Sequence, residues 1–503
     1  MKRVVFLLLV VFVFLHIAGA QSVNGEIRFD TANVTVVHVW GSHEERGYAY
    51  GYLLGEKVSD MVTGYMLPLF GQYMEEARTL VIEGKDIVFD SLFVFESMAV
   101  VEGMNDAGTN FANIDHIDVM VSNAYLDIAK LLGVSAGKPG CSSLMSWGDA
   151  TTGTDLNGKS VISRHLDWSP HPTLLQNQVM VIHTPSEVDE QPWGMIGFAG
   201  QISVLSGFNA NMAVFQHMMS DFTAASVHNQ AYEPVWLTLR KAVERLDFNN
   251  DGQNNTMDLW DAVDTNPTGY ADGYILTALA PSTTGYDSLT GLVAEVAPQE
   301  PHLTFRTNSY PDDIPGDNLY AANYEIKRNN HNHYCARYYA VMSALGSGTG
   351  IGSEENWEIM RDYSNALSGN IQFMQFIPEQ DLFRITVHRD GLPAYMNPPL
   401  EFTISELLSY PVGMGPGPDA DGLFLYPNPS GEFVVFDLPV HISKSGNDPL
   451  IRIFDVSGKE IAILPMTGER AVWDCREVQA GLYIYRCKVG GRPYSGKIVV
   501  RDN

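Results

Sequence analysis

Cys141 is the residue whose type and surroundings best fit covalent chemistry. It stands in Lys138-Pro139-Gly140-Cys141-Ser142-Ser143-Leu144, and 23 positions further on the chain reads Arg164-His165-Leu166-Asp167-Trp168. Thiolate is the attacking form of cysteine, and a cationic neighbour lowers a thiol pKa from ~8.5 into the working range, a role Arg164 fits. Asp167 lies three residues along the same predicted strand, Ser160 to Asp167. The turn residues Asp155-Leu156-Asn157-Gly158-Lys159 fold that strand back antiparallel on a Ser142-to-Trp147 strand, which brings Arg164 and Asp167 near Cys141. The plainer alternative is a buried structural thiol beside an ordinary strand ion pair, since free cysteines are among the most buried residue types.

Gly140-Cys141 followed by Arg-x-x-Asp resembles the cysteine branch of the N-terminal-nucleophile (Ntn) hydrolases: the penicillin acyltransferase-like autoproteolytic enzymes, with bile salt hydrolases and acid ceramidases as distant relatives. The resemblance implies cleavage of the Gly140–Cys141 bond, after which one residue carries both a thiol and an α-amine. With a reference pKa of ~8, that amine can act as general base near neutrality. Asp167 would hold the new amine. The family usually has Asn after the arginine, where this chain has His165. Asn209, in Ser206-Gly207-Phe208-Asn209-Ala210-Asn211-Met212, resembles the family's Gly-x-Asn turn, and Asn323 resembles its late Thr-Asn-His segment. Both are expected to serve an oxyanion hole, where a fixed donor is worth about 3 kcal/mol. Met212 and Tyr324 depart from the family pattern, and Asn329, Asn330 and Asn332 are rivals for the second role. Arg337 matches a late family arginine that opens a helix.

Before Cys141, Gly41-Ser42-His43-Glu44-Glu45-Arg46-Gly47-Tyr48-Ala49-Tyr50-Gly51 resembles the family's precursor opening, with a helix predicted from Gly47 through Leu67. Glycines at i and i+4 on one helix face also permit close backbone approach by packing alone. Residues 1–20 read as a cleavable secretory signal: Met1-Lys2-Arg3, an apolar run from Val4 to Ile17 broken by His16, then Ala18-Gly19-Ala20. At 503 residues the chain exceeds one typical core. Its formal charge of -28 argues against nucleic acid, whose phosphates need clustered Lys and Arg.

Four cysteines are few for an exported protein of this length. Cys475 and Cys487 are a candidate disulfide in an oxidising compartment. Cys335 is a rival nucleophile, with His331 and His333 close by as Cys-His partners or a His-x-His metal site. After a Gly/Pro-rich linker the pattern changes to short alternating strands with Gly turns roughly 10 residues apart, which indicates a small β-sandwich. From Tyr426-Pro427-Asn428-Pro429 to Gly496-Lys497-Ile498-Val499-Val500 this region resembles the C-terminal sorting domain of the type IX secretion system. The resemblance implies a Gram-negative bacterium, the outer-membrane type IX machinery as partner, and a secreted or surface-attached product.

The segment Asp247 to Asp258 places oxygen-bearing residues Asp247, Asn249, Asp251, Asn255 and Asp258 at loop positions 1, 3, 5, 9 and 12, with Gln253 at 7 and Gly252 at 6. That is the spacing of an EF-hand, so structural Ca2+ is expected, with Asp258 shortening the usual Glu; the alternative is a solvated Asn/Asp loop. The whole reads as α+β: a four-layer αββα Ntn-hydrolase sandwich, expected from the resemblance, and then a small all-β immunoglobulin-like sandwich. The expected divisions are 1–20 signal, 21–140 precursor segment, 141–410 catalytic region, 411–420 linker and 421–503 sorting domain. The expected activity is cleavage of, or acyl transfer from, a small-molecule amide through an acyl-thioester on Cys141. No catalytic cofactor is needed, and the two chains would stay non-covalently associated after autocleavage. The alternatives are a catalytically silent calcium-binding surface protein on the same fold, and an amidase using Cys335.

Overall fold

The computed structural model describes residues 23–135, 140–220, 222–282, 290–328, 335–365 and 367–409, together with 424–426, 430–431, 433–437, 450–455, 459–466, 470–476, 478–489 and 492–501. The signal at 1–20, the linker at 411–420, Lys138, Pro139 and the rivals Asn329, Asn330, His331, Asn332 and His333 lie outside the described residues.

The strands in chain order are β1 (Gly25–Thr31), β2 (Val34–Gly41), β3 (Gly140–Ser146), β4 (Val161–Asp167), β5 (Gln178–Pro185), β6 (Trp193–Phe198), β7 (Ser206–Asn209), β8 (Ala213–Met218), β9 (Tyr274–Leu279), β10 (Gly291–Val296), β11 (Leu303–Arg306), β12 (Asn318–Ala321), β13 (Asn370–Ile377), β14 (Leu382–Val387) and β15 (Leu400–Thr403). They form a nine-stranded sheet, β1-β2-β5-β6-β7-β8-β9-β10-β11, and a six-stranded sheet, β12-β3-β4-β13-β14-β15. The helices are α1 (His43–Met61), α2 (Leu67–Phe70), α3 (Met74–Glu83), α4 (Ser91–Asp106), α5 (His116–Asn123), α6 (Tyr125–Leu131), α7 (Pro172–Gln176), α8 (Val235–Glu244), α9 (Thr256–Asp264), α10 (Ala336–Leu345), α11 (Ser353–Tyr363) and α12 (Ile404–Leu408). The chain is thus a mixed helix-and-sheet protein.

Side-chain alternation explains how the parts fit. Met180, Ile182, Ile196, Phe208, Phe215 and Ile275 of the large sheet share a core with Met145, Ile162, Leu319, Met374 and Phe376 of the small one. Their neighbours Val179, Val181, Met195, Val214 and Leu276 point the other way, into a core with α1, α4, α5, α6 and α8. Leu144, Tyr320 and Phe373 turn from the small sheet toward α10 and α11. With both faces covered, strands such as Gln178–Pro185 are buried at every position.

The predicted precursor helix runs as α1 into a π-helical stretch, Val62–Met66, and then α2. Its glycines serve close approach: a Cβ at Gly51 would stand 1.9 Å from the Val100 carbonyl oxygen of α4, and one at Gly47 would stand 2.6 Å from that of Glu96. The α1 N-terminus is closed by a Ser42/Glu45 capping box.

The C-terminal part is all-β: β16 (Phe424–Tyr426), β17 (Phe433–Asp437), β18 (Leu450–Asp455), β19 (Glu460–Pro465), β20 (Arg470–Asp474), β21 (Gly481–Val489) and β22 (Arg492–Val500). They make a three-stranded sheet, β16-β17-β20, and a four-stranded one, β19-β18-β21-β22, around Val434, Phe436, Ile453, Trp473 and Tyr485. Cys475 and Cys487, the expected disulfide pair, are both buried in this core.

Candidate active site

Register sets the site. In the β3–β4 hairpin Gly140 lies opposite Asp167, Cys141 opposite Leu166 and Ser143 opposite Arg164. Cys141 and Arg164 therefore share the face toward the large sheet, while Asp167 turns to the other. The connection contains Asn157 and Gly158 at φ of 49° and 90°, the left-handed positions that Asn and Gly tolerate. On the other side of β3, β12 pairs Ala321 with Ser143, so the chain just past the strand brings Asn323 alongside Cys141.

Cys141 is fully buried. Arg164 Nη2 stands 3.6 Å from its Sγ and also donates to the Gln216 carbonyl at 3.2 Å. Burial pushes the thiol pKa up, and the Arg164 charge pulls against that. Arg164 is itself fully buried, and among the described residues its Nε and Nη1 have no hydrogen-bond partner. The Tyr125 hydroxyl, close enough to feel the Cys141 charge, is likewise unpartnered.

The Cys141 backbone N–H donates to Asn323 Oδ1 at 3.0 Å, and Asn323 Nδ2 donates to the Met218 carbonyl at 2.8 Å. Arg337, from the first turn of α10, joins the two sides of the site. Its Nη2 donates to Asn323 Oδ1 at 2.5 Å and its Nη1 to Asp167 Oδ2 at 2.8 Å. The other Asp167 oxygen accepts from Asn370 Nδ2 at 2.9 Å. Burial raises the Asp167 pKa, against the opposing pull of Arg337 and Asn370. Burial opposes the Arg337 charge in turn, but Tyr320, Asp167 and its other neighbours outweigh it and hold its pKa above the usual value.

The structure thus brings together Gly140, Cys141, Arg164, Asp167, Asn323 and Arg337. Asn209 is the exception. Its Oδ1 accepts from the Asn211 and Met212 amides, and its Nδ2 donates to the Val243 carbonyl and to Asn254 Oδ1, each at 2.9 Å. Its backbone N–H donates to the carbonyl of Met212, which just precedes β8 and lies four residues before Gln216, or ~13 Å at ~3.3 Å per residue. Asn209 holds a turn with all four of these side-chain bonds, and the structure does not bring it to the Cys141 group. Cys335 caps α10, half-buried against the core of Tyr320 and Tyr338. His165 points to the opposite face from Arg164, stacks on Phe373 at 4.1 Å and bonds the Met360 carbonyl at 3.0 Å. Sequence reading missed Tyr125, Trp168, Gln216 and Asn370; only the strand position of Trp168, next to Asp167, signalled proximity.

An apolar cavity lies beside Tyr125, the residue whose hydroxyl feels the Cys141 charge. Met61, Val62, Tyr65 and Met66, mostly from the π-helical stretch, face Tyr125, Trp168, Phe198 and Trp236 across about 20 Å3, room for about one water. Trp168 Nε1 donates to the Tyr65 hydroxyl at 2.8 Å, and Trp236 Nε1 donates to Gln216 Oε1 at 3.2 Å. Of the Phe and Met residues between Trp193 and Phe222, only Phe198 lines this space. Phe208, Phe215, Met219 and Phe222 belong to the core between the sheets.

The Asp247–Asp258 loop joins α8 to α9. Gly252 turns at φ 92°. Asp247 accepts from the Asp251 and Gly252 amides, and Asp258 from those of Phe248 and Asn255. Burial raises the Asp258 pKa to about 6, with Asp247 and Asp251 adding repulsion. Among the described residues the acidic ligand atoms of this loop do not draw together as a group of three; His43, Glu190 and Glu244 do. That second group belongs to an ion-pair network with Arg46, Arg240 and Glu96.

Residues 424–501 match the secretion system C-terminal sorting domain family. This defines the last domain as a type IX sorting domain and the chain as a secreted or cell-surface protein of a Bacteroidetes-type bacterium. Over 250 residues the chain is 22% identical to Protein dcd1B of Dictyostelium discoideum, covering 45% of this chain and 46% of that protein. The chain thus spans about half the length of this curated relative.

Proposed function

We propose that residues 141–410, with the segment before them, form an autoproteolytic cysteine hydrolase of the Ntn type on a four-layer αββα sandwich. The observation that carries this reading is the geometry at Cys141: a thiol 3.6 Å from a buried arginine, on a residue whose own backbone nitrogen is held at 3.0 Å by Asn323. Any buried backbone N–H needs an acceptor; what supports an enzyme here is that the acceptor is a side-chain oxygen shared with Arg337, beside the thiol and its arginine, where it can go on holding the nitrogen once that is a free amine.

In the first reaction Cys141 Sγ attacks the Gly140 carbonyl carbon, the bond to the Cys141 nitrogen breaks, and that nitrogen takes the proton that the thiol gives up. Water then hydrolyses the thioester, leaving a Gly140 carboxylate and a free Cys141 α-amine. In the second reaction the amine takes the thiol proton, Sγ acquires the acyl group of an amide substrate, and the departing amine takes the proton away. Water or another amine removes the acyl group. The unpartnered Arg164 Nε and Nη1 and the Tyr125 hydroxyl are suited to receive the developing oxyanion, in place of Asn209. The apolar walls of the cavity beside Tyr125 favour an apolar acyl group, which must displace the side chains that now fill it.

The test is intact mass and N-terminal sequencing of the wild-type protein beside Cys141→Ala. Two wild-type fragments, one beginning at Cys141, and a single chain in the variant are expected. An uncut, folded wild-type chain overturns the reading in favour of a catalytically silent surface protein. For the Asp247–Asp258 loop the reading includes a weak structural calcium site, supported by ligand spacing and the Gly252 turn. Asp247 and Asp258 must exchange backbone amides for the ion, so binding is expected only at millimolar calcium.

A further inference from the structure

We propose that Asn370 is a positioning residue of the Cys141 site, aimed by a β-bulge so that it fixes the Asp167 carboxylate beside the Gly140–Cys141 bond. The inference rests on Cys141 being the nucleophile.

Asp167 lies opposite Gly140, and a Cβ placed on Gly140 would stand 3.4 Å from the Asp167 Cβ. The carboxylate therefore hangs at the edge of the bond to be cut. Along β4 and β13, Gln372 pairs with Leu166, but Asn370, not Ile371, pairs with Asp167. In an unbroken ladder the apolar Ile371 would stand opposite the carboxylate. The extra residue re-aims the strand, as bulges beside active sites do, and sets an amide there instead.

The amide cannot be turned over. Asn370 Oδ1 accepts the Tyr395 backbone N–H at 2.9 Å, which leaves Nδ2 for Asp167 Oδ1 at 2.9 Å. Nδ2 also reaches His165 Nδ1 at 2.8 Å, an acceptor because His165 Nε2–H donates to the Met360 carbonyl. Asn370 touches neither the thiol nor the scissile bond in any hydrogen bond, so it acts through Asp167.

An N–H on an ionised carboxylate favours the charged form. The charged and titratable groups facing Asp167 are Cys141 from β3, Arg164 from β4, Arg337 from α10 and, through Asn370, the neutral His165. Removal of the Asn370 donor must raise the pH at which Asp167 ionises, and a second carboxylate at that position must raise it further.

The experiment refolds full-length wild-type, Asn370→Ala and Asn370→Asp precursors at a series of pH values. Cleavage is timed by intact mass, with Cys141→Ala as the uncut control. The acid limb of the rate profile is expected to move up by about one pH unit in Asn370→Ala and further in Asn370→Asp. Variants unchanged, or slower by one constant factor at every pH, would overturn the inference and leave Asn370 merely structural. Should Asn370→Asp not fold, Asn370→Ser keeps a short donor and is expected between wild type and Asn370→Ala; identical Ser and Ala profiles overturn the inference. Wild-type protein that never cleaves overturns the nucleophile reading itself, which is a different result from cleaving variants with unshifted profiles.

Discussion

Asn323 meets Cys141 with its oxygen, and its neighbours enforce that orientation. Cys141 N–H and Arg337 both present donors to Oδ1, while Met218 presents a carbonyl to Nδ2. A flipped amide would set donor against donor and acceptor against acceptor. Asn323 is thus an anchor for the Cys141 nitrogen rather than an oxyanion donor in this geometry. Arg337 couples that anchor to Asp167 through a two-pronged fork, which lysine cannot reproduce. Arg337→Lys is expected to slow autocleavage about tenfold or more while the chain still folds; an unaltered rate, read by mass against time, would sink the bridging role. Asn209→Ala separates the two asparagines. It removes a buried amide that makes four bonds, so a loss of about 1–3 kcal/mol of stability is expected, with cleavage proceeding. A fall of about 10²-fold or more in the cleavage rate of the folded variant, the scale of a lost oxyanion donor, would restore its catalytic role.

The elements that carry the site differ in how legible they were. Around Cys141 the hairpin was readable because the Asp155–Lys159 turn and the flanking strands have unmistakable composition. The helix opening at Gly47 was also readable, and in the structure α1 packs against α4 and the β1–β2 edge of the large sheet. The depth of the two large sheets was not, because strands covered on both faces lose the period-2 signal; β5 and β13 are buried throughout. Asn370 was invisible for a related reason: a bulge depends on the partner strand, and nothing in Asn370-Ile371-Gln372 marks it. Under the proposed function, the π-helical stretch Val62–Met66 is the element that would govern substrate entry. π-Turns often mark functional positions, and here one supplies a wall of the cavity, tied down by the Tyr65–Trp168 hydrogen bond. Tyr65→Phe removes that tie without emptying space. The expected outcome is faster entry of apolar thiol-reactive probes to Cys141, by a few-fold, a factor corresponding to about 1 kcal/mol. Equal labelling rates in the two proteins would show that this contact does not control access.

Across the whole molecule, charge is arranged so that pH acts on stability from both sides. His43 of α1 lies within 2.9 Å of Glu96 and 2.8 Å of Glu190, in a network that also holds Arg46, Arg240 and Glu244. Burial works against the charged ring, but the hydrogen bonds to Glu190 and Glu96 prevail and raise its pKa to about 9. A pKa raised above the unfolded value of ~6.5 gives stability that is complete below that value and disappears as pH climbs through the folded one, on the order of 3 kcal/mol here. His38 and His165 do the reverse: burial lowers each to about 3. Their contribution is complete above ~6.5 and drains away as pH falls toward the folded value. The unfolding temperature should therefore peak near neutrality or slightly below. The measurement is thermal unfolding of the Cys141→Ala chain from about pH 4 to about pH 10, compared with the same chain carrying His43→Gln. The second substitution should flatten the alkaline limb and leave the acid limb in place, because it removes only the group that loses its proton on that side. Glu190→Gln, which weakens the same hydrogen bond from the acid partner, should pull the alkaline limb to lower pH. An alkaline limb that survives both changes would mean that the loss of stability at high pH arises elsewhere in an acidic chain whose self-repulsion grows as it deprotonates, and not from the α1–α4–α8 ion-pair network.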